Sequence, residues 1–367
     1  MHYKYEILTS VDATQWNENL KKSDYSTFFQ TFEYISQKSS DVTPVYVRVF
    51  DNNDEIVGQL GLRIIKTTVM YSSKTFRHFL DLISNITNRA IWVYGPIIHS
   101  NIIENRNAIL NEILKAVDEI GKRYDLVHIE GQTSPFDRMI EENYKQIFKD
   151  HNYHKIDHIT FVTELTKSKD DLWNDVSKKA RGDVNRAKRR NIVVKVLETY
   201  DELKKYFLLN MEWTKSKGLV ITDIDHETEI LWKNHQSGIE KIFLAFQNDE
   251  LISGMRVGCF NGICYTNFVI NSYAEKTNLG GSILNWFVLE WAKENNMRIY
   301  DFSGGEVIKP DIDAATKKAD SLLFYKSKWG GEPKEYYVFI KVRKKISYKI
   351  YRLLFGLMRR YHRIIKQ

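Results

Sequence analysis

Two short stretches of the chain carry residue types that could do chemistry together. They are Tyr300-Asp301-Phe302-Ser303-Gly304-Gly305 and Leu322-Leu323-Phe324-Tyr325-Lys326-Ser327-Lys328-Trp329-Gly330-Gly331. The apolar run Arg298 to Phe302 followed by a glycine pair reads as a strand ending in a tight turn. Strand ends that carry glycine open backbone N–H groups to the places where ligands of α/β folds sit. Lys326 falls on a brief helix and could be aimed back at that turn. A fixed cation or a pair of N–H donors stabilises the oxyanion that develops when a nucleophile attacks a carbonyl. Asp301 and Glu306 flank the glycines, and either carboxylate could take a proton from an attacking ammonium. Asp301 is equally well explained as a turn or cap residue, and an exposed lysine on a short helix is the default reading of Lys326.

A second constellation lies between Leu172 and Arg190, read as one helix. Val176, Ala180, Val184 and Ala187 form a narrow apolar stripe, while Lys178, Lys179, Arg181, Arg186, Lys188, Arg189 and Arg190 crowd the other faces. Small inner residues let such a helix pack close, and outward guanidiniums suit phosphate, whether of tRNA or of a pyrophosphate. A solvated charge run is the alternative.

The elements that must position these groups follow from periodicity. A helix from Asp12 to Lys22 puts Trp16 and Leu20 on one face. Val45 to Phe50, the turn Asp51 to Asp54, and Glu55 to Leu62 read as a hairpin. Ala90 to Tyr94 is a strand stopped by Gly95-Pro96, Ile109 to Lys122 a helix, and Asp125 to Ile129 a strand. The same order recurs in the hairpin Lys241 to Gly254, the helix Ile283 to Lys293 and the strand Arg298 to Phe302, which implies a duplicated βα unit joined near His151 to His158.

Composition sets the outer bounds. The 367 residues, 43% hydrophobic and 28% charged, suit a two-domain globular chain. The net charge of +7 is concentrated at one end, since Lys341 to Gln367 holds five lysines and five arginines and no acid. Ile346, Ile350, Leu353, Leu354, Leu357, Tyr361, Ile364 and Ile365 fall on one helical face of that tail, the pattern of a helix lying on an anionic membrane; packing on the protein's own surface is the alternative. The N-terminus has no signal-peptide pattern and no eighteen apolar residues run together, so the expectation is a chain neither secreted nor membrane-spanning. Cys259 and Cys264 flank an Asn261-Gly262 hairpin turn and read as small core residues facing each other. The string His151, His154 and His158 lacks a metal-site frame, and no metal is expected.

The segments Phe28-Phe29-Gln30-Thr31-Phe32-Glu33-Tyr34, Tyr94-Gly95-Pro96, Trp173 to Lys188, Tyr300 to Gly305 and Phe324 to Gly330 resemble, in that order, the Fem-type (FemABX) transferases. The resemblance implies an α/β (α+β) chain of two tandem GNAT-like acyltransferase domains, here 1–152 and 153–342, followed by the basic amphipathic helix 343–367. It implies that the last strand, Glu335 to Val342, can return to the first domain. Between Arg190 and Trp213 there is no room for a coiled-coil arm, so the likeness is to the FemX group.

The implied activity attaches an amino acid, delivered by aminoacyl-tRNA, to an amine of a lipid-linked or nucleotide-linked peptidoglycan precursor. By the same resemblance Lys326 stabilises the oxyanion, with Tyr325 where Phe usually stands and Asp301 beside it. Lys38, eight residues after Gln30, contacts phosphate; its partner arginine is replaced by Lys217 in Thr214-Lys215-Ser216-Lys217, which keeps the charge and loses the bidentate fork. Tyr94, Lys178, Arg181, Arg186, Gly304 and Gly305 complete the expected substrate contacts. No cofactor is expected beyond the tRNA co-substrate, because Glu275 to Ser282 keeps glycines without the frame that cradles a CoA pyrophosphate. The expected setting is a monomer on the cytoplasmic face of an anionic membrane. The rival readings are an acyl-CoA or acyl-carrier N-acyltransferase acting on a cell-surface sugar or lipid, and a non-catalytic RNA-binding module.

Overall fold

The computed structural model describes residues 2–37, 42–66, 87–100, 102–140, 142–216, 224–272, 279–306 and 322–353. Lys38 and Lys217, both expected to contact phosphate, lie outside the described residues. The chain divides into two units, residues 1–157 with 336–367 and residues 158–335.

In the first unit, β1 (Lys4–Leu8), β2 (Val42–Phe50) and β3 (Ile56–Ile65) form an antiparallel meander. Before β2 come α1 (Ala13–Lys21) and the single turn α2 (Phe32–Ile35). Asp12 starts α1 by accepting the Gln15 N–H at 2.7 Å, which satisfies a donor that the helix itself leaves without a partner. Trp16 and Leu20, one turn apart, are both fully buried. The β2–β3 turn is shaped by Asp51, whose Oδ1 accepts from the backbone N–H groups of Asn53 and Glu55 at 2.9 and 3.0 Å. Next come β4 (Arg89–Trp92), which pairs with β3, and the two-residue β5 (Ile97–Ile98). After α3 (Ile103–Arg123), β6 (His128–Gln132) lies parallel to β4. Ile109, Ile113, Ala116, Val117 and Ile120 line the buried face of α3, so that one helical stripe covers the sheet. Helix α4 (Glu142–Asp150) follows, and the sheet is closed from the far end of the chain, where Val338–Val342 pairs antiparallel with β6.

The second unit repeats this plan. It contains β7 (His154–Glu164), α5 (Lys169–Asp175), α6 (Lys178–Arg189), β8 (Val193–Val196), α7 (Tyr200–Ser216) and α8 (Ile224–Ser237). These are followed by β9 (Glu240–Gln247), β10 (Glu250–Phe260), β11 (Ile263–Asn271), α9 (Leu279–Glu294), β12 (Ile299–Glu306), α10 (Leu322–Ser327) and the start of β13 (Glu332–Val342), whose residues from Tyr336 on belong to the first unit. Its strands run in the order β8-β9-β10-β11-β12-β7, antiparallel except for β11 and β12. Both hairpin turns carry two residues at positive φ, Asn248 and Asp249 at 50° and 63° and Asn261 and Gly262 at 48° and 77°, the twist that suits a two-residue connection. The second turn sets Cys259 opposite Cys264 as buried free thiols. The expected duplication is therefore present as meander, strand, helix and parallel strand. Each copy is completed by a strand that enters from beyond its own repeat: β7 follows the first unit and β13 follows the second.

Four local expectations shift. The basic segment is two helices, because Val176 is extended and the Ser177 hydroxyl caps α6 by accepting the Ala180 N–H. The strand expected at Asp125 begins at His128, because Asp125 adopts a positive φ in the turn after α3. Gly304 and Gly305 lie inside β12 rather than ending it. Compared with segments 1–152 and 153–342, residues 153–157 and 336–342 go with the first unit; the latter make the return of the last strand that the resemblance implied, with β6 as the backbone partner.

One ion pair ties three strands of the second unit. The fully buried Glu240 carboxylate accepts from Arg256 Nε and Nη2 at 2.8 and 3.0 Å and from Asn267 Nδ2 at 2.8 Å. Arg256→Met strands this carboxylate and is expected to cost about 3–5 kcal/mol in urea unfolding, with part of the loss restored by adding Glu240→Gln.

Candidate active site

The pairing of β11 with β12 is short. Its register runs from Ile263 opposite Ile299 to Tyr265 opposite Asp301, while the two strands continue to Asn271 and Glu306. Where this register stops, β12 also bulges against β7: Asp301 faces Val162 and Gly304 faces Thr160, so two residues of β12 stand against one of β7. Bulges of this kind re-aim a side chain. Here it is Ser303, which sits at φ 63°, a conformation rarely adopted by residues other than glycine.

The bulge is held by Asp301. Its carboxylate is fully buried and accepts from the Thr160 hydroxyl and, at 2.7 Å, from the Ser303 backbone N–H. Gly304 is required by a close approach, since a Cβ there would lie 1.9 Å from the Ile159 carbonyl oxygen. Gly305 has space, with Leu323 Cδ2 the nearest group at 3.9 Å.

Lys326 reaches this bulge from α10, and its ammonium donates to Ser303 Oγ. The lysine is 9% exposed, and burial pulls its pKa down to about 8 against the opposing pull of the Asp301 carboxylate. The short helix is anchored on both sides of Lys326. Tyr325, half-buried, accepts from Asn285 Nδ2 of α9 at 3.0 Å, which gives its hydroxyl a partner. Trp329 is buried in the same core as Tyr300, Phe302, Ile159 and Phe161. Tyr300 exchanges a hydrogen bond with Thr266 across the β11–β12 pair at 2.7 Å, and burial raises its phenol pKa.

The basic helix meets this assembly end-on. The Ser177 N–H donates to the Lys328 carbonyl at 2.9 Å, and Gly330, at φ 81°, passes so close to Asp175 that a Cβ would lie 2.8 Å from it. Lys178 and Arg186 are exposed, the latter paired with Asp183. Arg181 donates to the Trp173 and Asn174 carbonyls at 3.3 and 3.2 Å and so closes the end of α5. Burial and the nearby Lys179 lower the Lys328 pKa, with Asp183 opposing.

Asp301, Gly304, Gly305, Tyr325 and Lys326 thus come together, with the end of α6 beside them. Ser303, Thr160 and Asn285 belong to the same arrangement and were not singled out from the sequence; the one local signal was a serine ahead of a glycine pair. Tyr94 belongs to the first unit, 1% exposed and packed edge-on against Phe29, Phe136 and Tyr336. There the Phe28–Tyr34 and Tyr94–Pro96 segments meet, as Gln30 Nε2 donates to the Val93 carbonyl at 2.8 Å.

No family model matches the sequence, and no curated protein is similar to it in sequence. Solved structures are similar in fold. A crystal structure of FemX matches over 94% of this chain and 99% of its own, with a TM-score of 0.68 at 15% identity. The chain has a FemX-like double GNAT fold. L-PGS from Bacillus licheniformis matches over 93% of this chain and 95% of its own, with a TM-score of 0.55 at 13% identity. A tandem GNAT protein from the clavulanic acid biosynthesis pathway matches over 92% and 98%, with a TM-score of 0.54 at 11% identity. In this double GNAT chain, the place where the parallel strands of the second unit part is also the place where Lys326 arrives.

The two glycines are expected to separate in experiment. Gly304→Ala must displace a backbone carbonyl and should destabilise by about 1–3 kcal/mol or more. Gly305→Ala has room and should stay within about 0.5 kcal/mol in the same denaturant titration.

Proposed function

We propose that the protein is an aminoacyltransferase that takes an amino acid from charged tRNA and forms an amide on an amine of a cell-wall precursor. The observation that carries this reading is the buried Lys326 ammonium, held on Ser303 beside Asp301 where β11 and β12 part. The likeness in fold to FemX and to L-PGS supports aminoacyl transfer over other uses of the GNAT fold.

In this reaction the acceptor amine attacks the ester carbonyl that joins the amino acid to the tRNA. The carbonyl electrons move onto oxygen, and the Lys326 ammonium donates to that oxyanion in a site of low dielectric, where the interaction is worth more than in water. Collapse breaks the ester C–O bond, forms the amide and leaves the ribose oxygen to take up the proton lost by the amine. Asp301 keeps the lysine charged against the cost of its burial. Tyr325 and Trp329 fix the helix that aims it. The cations of α6 and Lys328 supply positive charge for phosphate. Lys178 and Lys179 occupy the first turn of α6, where the helix dipole disfavours cations, and a bound polyanion offsets that cost. The Glu275 to Ser282 sequence supports charged tRNA over acyl-CoA as donor, and the chain needs no further cofactor.

The test is transfer of labelled amino acid from charged tRNA to a mixed pool of lipid-linked and nucleotide-linked precursors, run beside labelled acyl-CoA. Label moving from tRNA is the expected result; label moving only from acyl-CoA would overturn the donor assignment. Lys326→Met should lower kcat about 10²–10³-fold with little change in KM. The lysine acts in its cationic form, so wild-type kcat should fall as pH rises through about 8, and that limb should be absent from the residual activity of the variant.

A further inference from the structure

The start of the basic tail has two faces with different fates. Residues 345–353 are helical, and the tyrosines of this segment pack on the first unit. Tyr348 and Tyr351 lie against His128 with ring centroids 5.0 and 4.9 Å apart, and the Arg89 guanidinium sits 5.6 Å from the Tyr351 ring. The segment is tied in register by Arg343 and Lys344, whose backbone N–H groups donate to the Val127 carbonyl at 2.9 and 3.1 Å. At about 100° per residue, Ile346, Ile350 and Leu353 cluster on the side opposite the tyrosines. They are 76%, 38% and 63% exposed. Lys345, Lys349 and Arg352 form an exposed row alongside them.

We infer that this helix lies on an anionic lipid bilayer, with Ile346, Ile350 and Leu353 inserted among the acyl chains and Lys345, Lys349 and Arg352 at the level of the headgroups. An exposed aliphatic row bordered by cations is the pattern of interfacial helices. Phosphodiester binding would use the cations and leave the aliphatic row in water. A second copy of the chain would bring two like-charged rows together, in a segment that has no acidic residue from Lys341 to Gln367 to pair them. In sequence, Leu357, Tyr361 and Ile364 continue the aliphatic spacing, and Arg359, Arg360 and Arg363 continue the charge. Among the described residues no helix is long and apolar enough to cross a membrane. The inferred contact is one of lying on the surface, held by charge and shallow insertion together. This inference does not depend on the transfer reaction and is read from binding alone.

The experiment is flotation of the full chain with vesicles of phosphatidylcholine alone or mixed with phosphatidylglycerol, at low and high salt. Wild type should float with the mixed vesicles and stay behind with the neutral ones, and high salt should weaken the binding. Ile346→Ser, Ile350→Ser and Leu353→Ser combined should lower binding about tenfold or more, as should Lys345→Glu, Lys349→Glu and Arg352→Glu combined. All six positions are exposed, and circular dichroism checks that both variants fold. Three results would overturn the inference. Wild type could fail to float with mixed vesicles, or the serine variant could float as well as wild type. Alternatively, the face could prove to be covered by a second copy, with a concentration-dependent doubling of mass that the serine variant abolishes.

Discussion

The candidate site depends on one carboxylate. Asp301, without solvent contact, holds the Thr160 hydroxyl from one side and the Ser303 N–H from the other, and so keeps a bulge in β12 that costs Ser303 a positive φ. A bulge shifts the side-chain alternation by one residue, so every group after it changes face. Gly304 makes the shift sterically feasible by letting β12 pass the Ile159 carbonyl. Lys326 then has an oxygen to meet. Burying its ammonium is unfavourable, and Ser303 and Asp301 together reduce that cost without removing it, which leaves the amine near the midpoint of its titration just above neutral pH.

The first unit shows what the same plan looks like without such a bulge. Its parallel strands pair from Arg89 opposite His128 to Trp92 opposite Gly131, and β6 runs against Val338–Val342 in even register. At Gly131 the space is filled, since a Cβ there would lie 1.9 Å from the Trp92 indole. One copy thus seals the strand pair with an aromatic ring, and the other parts it beside a serine and a lysine. Duplication supplied two equivalent positions, and local side chains decide which can hold a reacting group.

Much of this could be read from residue order. The hairpins were legible because Asn-Gly and Asn-Asp turns sit between alternating apolar runs, and α1, α3 and α9 because their apolar stripes keep helical spacing. Lys326 and Asp301 drew notice beside aromatic and glycine punctuation, while Tyr325 and the oxyanion role of Lys326 came from the family resemblance. What stayed hidden was mostly non-local. No local pattern says that Val338–Val342 pairs with β6, a return that only the family resemblance anticipated, or that Gly304 faces a carbonyl of β7; a glycine pair read alone suggests a turn. The break at Val176 and Ser177 was masked because Leu172 stands one turn before Val176, in phase with the stripe that begins there. Ser303 was passed over because a serine at positive φ looks in sequence like any serine before glycine.

The account rests on Lys326 being a buried amine bonded to Ser303 within the field of the Asp301 carboxylate, and its titration tests that most directly. Nuclear magnetic resonance of the labelled lysine side chain should show a midpoint near about 8 in the wild type, moving lower in Asp301→Asn as the favourable charge is removed. A midpoint in the ordinary lysine range above about 10, unmoved by the substitution, would place the amine in water and contradict the account.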